Sequence, residues 1–544
     1  MVSKVEKWKN EKNPIELKET IYDVYSKEGI EAVDEAENPD AEYERLKWYG
    51  LYRHNDNSPN YFMHRVKVPN GVMTAEQVRK VGEVTKEYCR GDEPNPNFGR
   101  TFVDVTTRQD LQIHWVDIRD IVDIWDEWDE VDLPTGATGA CGDVFRNIVG
   151  CPVAGVDKEE LIDASDIVDE CAEYFTREEF SNLPRKYKVA ISGCKEGCEQ
   201  GEINDIGMHP AVKEIDGEEV EGFNVMAGGG LGRGGIMAKD MDVFVEPENV
   251  LGFNRAAATV FREKGDRDQR ARARLRYKIE EEGVDWFRQE VEKEADIELH
   301  RGGESFRDEA DYNAGSHYCD HVGIHEQKDG NYYAGLQVIT GRLKADWFIE
   351  LADLAEEYGD GTVRLTQRQN VILTGIEEED LEEFKQESLL EVVPVDPSPF
   401  RRGAISCTGT EFCNLALIET KNRMVDWITE LEDRVEVDSP LRIHLSGCNA
   451  SCAQPQIADI AFQGTKTRDG DEVVEAVNVG IGGGLGEDPG FAEWVVKSVP
   501  CNDGIDAIED LIRQYRANRK TENESFRDYV WRVGPENVAE ELDA

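Results

Sequence analysis

Hydrophobic and polar positions follow the same order of patterns in two separate stretches of the chain. Residues 62–68 alternate and predict a strand, residues 75–87 show helical periodicity, and residues 101–115 predict a second strand. Residues 332–339, 345–357 and 362–373 repeat this order. The two stretches therefore predict two small units of mixed helix and strand.

Longer sequence blocks repeat in the same order. SGCKEGCEQGEINDIG around Cys194 matches SGCNASCAQPQIADIA around Cys448, and NVMAGGGLG from Asn224 matches NVGIGGGLG from Asn478, both at an offset of 254 residues. TTRQDLQI from Thr106 matches TQRQNVIL from Thr366. We infer an internal duplication, with two similar halves related by a pseudo-twofold axis.

The composition and charge of the chain limit the kinds of partner and the cellular location that we expect for it. The 544 residues include 114 acidic and 62 basic side chains, a formal net charge of −52, and the acids are spread along the whole chain. A pervasive acidic surface indicates adaptation to concentrated salt, where charge repulsion is screened. It makes nucleic acid and anionic membranes poor partners. No run of 18 apolar residues and no apolar leader is present, so we expect a cytoplasmic protein whose 12 cysteines are metal ligands or buried thiols.

The second half carries a spaced cysteine set. Cys407 and Cys413 have five residues between them, and Cys448 and Cys452 follow with three residues between them. Two close pairs suit an iron–sulfur cluster, whereas structural zinc sites more often use pairs with two intervening residues. Zinc and unligated cysteines remain as alternatives.

The first half has an incomplete version of this set. It keeps Cys194 and Cys198, but alignment of Phe145 with Phe412 places Arg146 opposite Cys413. We expect Cys141, Cys194 and Cys198 to be packed thiols, with a metal site as the alternative.

The motifs SCTGTEFCNLALIETKNR and SGCNASCAQPQIADIAFQG resemble those of the ferredoxin-dependent nitrite reductases and their sulfite reductase relatives, and the resemblance extends over nearly the whole chain. It implies a [4Fe–4S] cluster held by Cys407, Cys413, Cys448 and Cys452, and a siroheme. By the same resemblance Cys452 shares its sulfur with the siroheme iron.

The resemblance also implies a cationic site. The positions that it assigns to substrate binding are Arg65, Arg146, Lys186 and Lys188, and those that it assigns to siroheme binding are Arg108, Gln112, His114 and Arg185. Siroheme carries eight carboxylates and the substrate is an anion, so such a site needs uncompensated Arg and Lys. Lys186 and Lys188 would share one face of a strand.

For function, the resemblance implies six-electron reduction of nitrite to ammonia with ferredoxin as the donor. Reduction of sulfite to sulfide is the alternative, since Lys188 is typical of sulfite reductases and favours a dianion. A non-catalytic iron–sulfur carrier is a remoter alternative, because it would need no cationic cavity. Ferredoxin could dock near Lys421 and Arg423. An internal pseudo-dimer favours a monomer.

The expected fold class is α+β, with two small ferredoxin-like units and two larger mixed α/β domains that bind the siroheme and the cluster. The predicted segments are a helical arm at 1–58, a first ferredoxin-like unit at 59–128 and a first siroheme-binding domain at 129–294. A second ferredoxin-like unit at 295–388 and the cluster domain at 389–544 follow. Residues 261–294 are expected to form a charged helical bridge between the halves.

Overall fold

The computed structural model describes residues 2–134, 141–306, 320–486, 488–540 and 542. The N-terminal arm is a series of short helices that lead into the first strand. Its helices are α1 (Lys4–Glu11), α2 (Leu17–Thr20), α3 (Ser26–Glu28), α4 (Ile30–Asp34) and α5 (Pro39–Leu46).

The first small unit follows the arm. Its elements are β1 (Leu51–Arg53), β2 (Phe62–Val66), β3 (Val72–Thr74), α6 (Ala75–Tyr88), β4 (Phe102–Val105), β5 (Leu111–Val116) and α7 (Ile121–Asp129). Helix α6 begins at a capping box in which Thr74 and Gln77 exchange side-chain and backbone hydrogen bonds.

The first large unit contains an antiparallel sheet with helices packed on it. Its elements are α8 (Ser165–Tyr174), β6 (Val189–Ile191), β7 (Ile206–Ile215), β8 (Glu218–Ala227), β9 (Lys239–Val245), α9 (Val250–Lys264), α10 (Leu275–Glu282), α11 (Val284–Glu294) and β10 (Glu304–Ser305). Strand β6 runs parallel to β7, and the other pairs are antiparallel.

The second half repeats the small and large units. Its small unit has β11 (Gly323–Glu326), β12 (Tyr332–Leu336), β13 (Arg342–Lys344), α12 (Ala345–Tyr358), β14 (Thr362–Leu365), β15 (Val371–Ile376) and α13 (Leu381–Phe384). Its large unit has α14 (Pro399–Gly403), β16 (Ala404–Ser406), α15 (Lys421–Arg434), β17 (Ile443–Ser446), β18 (Ile460–Asp469), β19 (Glu472–Ile481), β20 (Glu493–Pro500), α16 (Gly504–Asn518), α17 (Phe526–Val533) and α18 (Pro535–Glu540).

The two small units exchange a strand. The first small sheet has the order β1-β2-β5-β4-β13, and the second has the order β11-β12-β15-β14-β3, so each sheet is completed by a strand of the other half. Helices α6 and α12 pack against each other at Gly82, where a Cβ atom would lie 2.6 Å from Cγ1 of Ile349. One hydrophobic core runs through the arm and both small units, which makes them a single packed body.

Two sequence predictions need correction in the small units. Residues 101–115 and 362–373 each form a hairpin of two strands and not one strand. The Thr106 hydroxyl accepts hydrogen bonds from the backbone N–H of Arg108 and Asp110, and Gln109 has φ 57°. Gln369 has φ 63° in the equivalent turn. The polar turn residues therefore reverse the chain where the hydrophobic pattern alone shows a continuous run.

The predicted helical bridge is also corrected. Helix α11 packs on α9 and β9, helix α10 packs on α11, and Phe287 and Val291 belong to the core of the first large unit. Strand β10 pairs with β7, so the predicted boundary at residue 295 falls before the last strand of that unit. The α+β class with its internal duplication is confirmed.

Candidate active site

The four cysteines of the second half lie at one end of its large sheet. Cys407 directly follows β16, and Cys448 and Cys452 follow β17, a parallel neighbour of β16. Because parallel strands end at the same edge of a sheet, the segments that carry these thiols meet there. Burial, followed by the influence of Cys452, raises the pKa of Cys407 to about 12.

Backbone N–H groups point at three of these sulfur atoms. Gly447 N lies 3.1 Å from the Cys407 Sγ, Leu415 N lies 3.4 Å from the Cys413 Sγ, and Ala450 N lies 3.4 Å from the Cys448 Sγ. Such donors stabilise thiolates and tune iron–sulfur clusters. Four neighbouring cysteines supply the ligand set of a [4Fe–4S] cluster, and three of them have backbone donors, so the residues present fit this group.

A cleft opens beside Cys407 and Cys452. Three carboxylates line it, and they face seven cationic side chains: Arg65, Arg108, Arg146, Lys186, Lys188, Arg274 and Lys421. A positive cleft in a chain of net charge −52 marks a site for an anion. Its positive charge fits a tetrapyrrole with eight carboxylates together with a small anion.

Two lysines in the segment just before β6 line this cleft. Tyr187 stacks on Phe261 at a centroid distance of 5.4 Å and lies in the core of the first large unit. Lys186 and Lys188 flank it in sequence and line the cleft on the opposite side. The period-two expectation for this pair agrees with their placement.

The lysines lie in a strongly positive environment. Burial, and then Arg274 and Arg146, lower the pKa of Lys186 well below its usual range. Burial, and then Arg108 and Lys186, do the same to the pKa of Lys188. A bound anion would relieve the repulsion among these cations and favour their protonated forms.

Arg65 and Gln112 face each other across β2 and β5, where they form a register pair. In the amide orientation that its neighbours satisfy, the Gln112 oxygen lies 2.5 Å from the Arg65 Nη2. Arg65 Nη1 lies 3.2 Å from the Cys141 Sγ. These contacts hold the guanidinium at the wall of the cleft.

Arg108 is anchored by the first large unit. It donates to the Asn204 Oδ1 over 2.7 Å and to the Asn147 carbonyl over 2.5 Å. Burial lowers its pKa to about 10. Arg146 is held by the Gly142 carbonyl, 2.9 Å from its Nη2.

Arg274 lines the cleft and was not found by sequence reasoning. It lies within the charged stretch at 261–294, whose pattern shows only a helix, and its Nη2 lies 2.8 Å from the Asp205 Oδ2. Asp205 also accepts the backbone N–H of Lys188 over 2.9 Å. In the second half, Asp459 accepts the backbone N–H and the guanidinium of Arg442.

This repeat pair gives Arg274 a clear role. Lys188 and Arg442 occupy equivalent positions, 254 residues apart, as do Asp205 and Asp459. Arg442 turns onto its own aspartate, whereas in the first half Arg274 takes that place. Lys188 is thereby left to line the cleft. One sequence signal could have indicated this. The aspartate is present in both halves, but its arginine partner, Arg442, is replaced by Lys188 in the first half.

Two of the predicted siroheme contacts lie elsewhere among the described residues. Arg185 lies 3.3 Å from Asp143 and does not line the cleft. His114 is 1% exposed, with its Nε2 3.1 Å from the Asp104 Oδ2 and its ring stacked on Phe412 at 4.1 Å. His114 therefore lies behind the loop that carries Phe412. The bulge in β5 and the packing on Phe412 turn its side chain away from the strand face that carries Gln112.

The proposed ferredoxin contacts near the cluster are corrected. Lys421 is 1% exposed, hydrogen-bonds the Thr340 carbonyl and lines the cleft. Arg423 is half-buried and pairs with Glu475 at 2.6 Å. Neither side chain presents a free cation to a docking protein.

No helix of the described residues is long and apolar enough to cross a membrane.

Comparisons with known proteins agree with this site. The family model "Nitrite and sulphite reductase 4Fe-4S domain" matches residues 141–299 and 399–544, and the "Nitrite/Sulfite reductase ferredoxin-like half domain" matches 54–92 and 325–389. An assimilatory ferredoxin-dependent nitrite reductase of Haloferax mediterranei is 42% identical, over 99% of this chain and 93% of its own.

Two further relatives widen the comparison. A ferredoxin sulfite reductase of Mycolicibacterium paratuberculosis is 31% identical over 98% of this chain and 95% of its own. The solved structure of the NirA protein of Mycobacterium tuberculosis is similar with a TM-score of 0.89 and 30% identity, over 99% of this chain and 97% of that one.

Proposed function

Since the chain belongs to the nitrite and sulfite reductase family, we propose that it is an assimilatory oxidoreductase that reduces nitrite to ammonia with electrons from ferredoxin. The observation that carries the proposal is the juxtaposition of the cysteines at 407 and 452 with a cleft lined by seven cations. A carrier of electrons would need the cysteines but not the cationic cleft.

The family uses siroheme and a [4Fe–4S] cluster, and the residues at the site fit both groups. Cys407, Cys413, Cys448 and Cys452 would hold the cluster. Arg108 would pair with tetrapyrrole carboxylates, as guanidinium groups bind carboxylates through two hydrogen bonds. When bound, these groups supply the electron path and the metal at which the anion is reduced.

The remaining cations act on the substrate. The anion would be surrounded by Arg65, Arg146, Lys186 and Lys188. These side chains would balance its charge and occupy the hydrogen-bonding positions around its oxygens. The lowered pKa of Lys186 and Lys188 makes each ammonium a stronger acid than an exposed lysine. Both are therefore suited to supply protons as nitrogen–oxygen bonds break.

The substitution Arg146→Ala tests this assignment. Loss of one charged hydrogen-bond donor of about 1.5–3 kcal/mol should weaken nitrite binding by about 10- to 150-fold. The visible spectrum of the bound cofactors should be unchanged. Arg177→Ala, at an exposed arginine outside the cleft, is the matched control. Full nitrite turnover in R146A, or loss of the chromophore with turnover retained per remaining holoenzyme, would contradict the assignment.

Sulfite is the second candidate substrate, because Lys188 adds a cation and sulfite reductases are among the relatives. A dianion interacts about twice as strongly with each cation as a monoanion. Steady-state turnover of both anions with reduced methyl viologen decides between them. We expect a higher kcat/KM for nitrite, and a larger fractional loss for sulfite than for nitrite in K188N. A higher kcat/KM for sulfite in the unmodified enzyme would reverse the assignment.

The cellular setting belongs to the same proposal. We expect a cytoplasmic monomer that accepts electrons from a ferredoxin. Size-exclusion chromatography at high salt tests the monomer. Turnover with reduced ferredoxin, compared with a nicotinamide donor, tests the electron source.

A further inference from the structure

A second group of cysteines lies in the first half, outside the cationic cleft. The sulfur atoms of Cys151, Cys194 and Cys198 all lie within 4.8 Å of one another, and all three residues are buried. The Nε2 of His321 lies 3.3 Å from the Cys198 Sγ. None of these four residues lines the cleft.

The four side chains come from distant segments. Cys151 lies just beyond the bridge between Val149 and Ala190, and Cys194 and Cys198 lie in the connection between β6 and β7. His321 comes from the second half, just before β11. The group therefore joins the first large unit to the second small unit.

Two separations in this group match those around one tetrahedral ion, and the three sulfurs all lie within 4.8 Å of one another. Zinc–sulfur bonds of about 2.3 Å and zinc–nitrogen bonds of about 2.0 Å place two sulfur ligands about 3.8 Å apart and a sulfur and a nitrogen about 3.5 Å apart. The Cys151 and Cys198 sulfurs are 3.9 Å apart, and the sulfur–nitrogen distance to His321 is 3.3 Å. In a disulfide the two sulfurs would be about 2.05 Å apart.

The surroundings orient these ligands. The Nδ1 of His321 lies 3.3 Å from the Tyr333 hydroxyl, which leaves Nε2 directed at the sulfurs. The backbone N–H of Glu196 donates to the Cys194 Sγ over 3.4 Å. His321 is held at φ 56°, an uncommon conformation for this residue type. A hydrogen bond on the second nitrogen of an imidazole is typical of histidines that bind metals.

The repeat explains why this site differs from the cluster site. Cys194 and Cys198 are the counterparts of Cys448 and Cys452. Arg146 stands where the second half has Cys413, so the set for a four-iron cluster is incomplete here. Cys151 and His321 complete a smaller set, in which the short sulfur–sulfur distances suit one ion and not thiolates that each bind a different iron.

We propose that Cys151, Cys194, Cys198 and His321 bind one zinc ion that fastens the first large unit to the second half. Three thiolates and one imidazole favour zinc over magnesium or calcium. Four protein ligands would fill the tetrahedral positions of zinc, which is typical of a structural site. Exposed pairs such as Lys158 with Glu326 cross the same seam, and concentrated salt weakens them, whereas coordination bonds are not screened.

Metal analysis of the holoenzyme tests the proposal. Protein purified with a tag that does not bind metals should contain one zinc per chain, in addition to the iron of the cluster and the siroheme. X-ray absorption at the zinc edge should show three sulfur ligands and one nitrogen ligand. Less than about 0.1 zinc per chain, or iron in place of the zinc, would overturn the proposal.

Variants locate the ion. Cys194→Ala should lose the zinc and lower the melting temperature while the cofactor spectrum persists, and H321C should keep the zinc because it supplies another ligand. Cys171→Ala, a buried thiol of the same unit outside the group, should keep both. Zinc retained in C194A would place the ion elsewhere and refute this site. The iron content of the same samples tests the proposed reductase separately.

Discussion

Replacement of Arg274 by Met should move Lys188 out of its place in the anion cleft. Arg274 is the partner of the buried Asp205, at 2.8 Å, and Asp205 also holds the backbone of Lys188. In the second half, the residue equivalent to Lys188 pairs with the equivalent aspartate through two guanidinium hydrogen bonds of 2.7 and 3.0 Å. The backbone geometry of the repeat thus permits the side chain at 188 to take over the vacated carboxylate.

The magnitude follows from what happens to Asp205. A buried carboxylate that loses its cation costs about 3–5 kcal/mol. Unfolding entropy of about 2.1 cal/mol/K per residue gives about 1.1 kcal/mol/K for this chain, so an unpaired Asp205 would lower the melting temperature by about 3–4 °C. If Lys188 pairs with Asp205, R274M should lose less than about 2 °C. The cleft then loses two cations, and the KM for nitrite should rise by about 10- to 100-fold.

A double-mutant cycle of R274M and K188A separates these possibilities. Once Lys188 has been recruited, K188A should change the KM of R274M by less than about twofold, but it should lower its melting temperature by the full 3–4 °C. Calorimetry at constant salt and steady-state kinetics measure both quantities. R272M, at an exposed arginine two residues away, is the control. Additive effects of R274M and K188A on KM would refute the reasoning.

Two further variants test the fold at buried polar positions. Gln109 donates hydrogen bonds to the carbonyls of Asn70 and Leu365 and accepts hydrogen bonds from Gly150 and Gln367. Q109L should therefore cost about 4 kcal/mol and lower the melting temperature by about 3–4 °C. Q386L, at an exposed position, should leave the melting temperature unchanged. An unchanged melting temperature in Q109L would rule out this link between the halves. Burial lowers the pKa of Lys67 from 10.5 to about 8. The stability of the wild type relative to K67M should therefore increase by up to about 3 kcal/mol as the pH rises from 8 to 10.5. Below pH 8 the buried ammonium of Lys67 is protonated, and the full cost of burying its charge lowers the stability of the folded protein. A stability difference between wild type and K67M that does not change with pH in denaturant unfolding would contradict this.

Local sequence patterns determined the class and the chemistry of this protein. The duplicated blocks predicted the pseudo-twofold arrangement of an α+β fold, and the fold class is confirmed. Spacing and resemblance predicted the iron–sulfur cluster and siroheme, which the family comparison supports. Period-two alternation was sufficient to predict that Lys186 and Lys188 line the same cavity, because side-chain direction in an extended segment is a local property.

Contacts between distant segments were decided only by the tertiary structure. The exchange of β3 and β13 between the small sheets and the pairing of Arg274 with Asp205 join residues that no local period relates. The approach of His321 to Cys198, one of three clustered cysteines of the other half, is of the same kind. Such contacts depend on how whole units pack, because a buried carboxylate or thiol pairs with the suitable side chain that the packing places beside it.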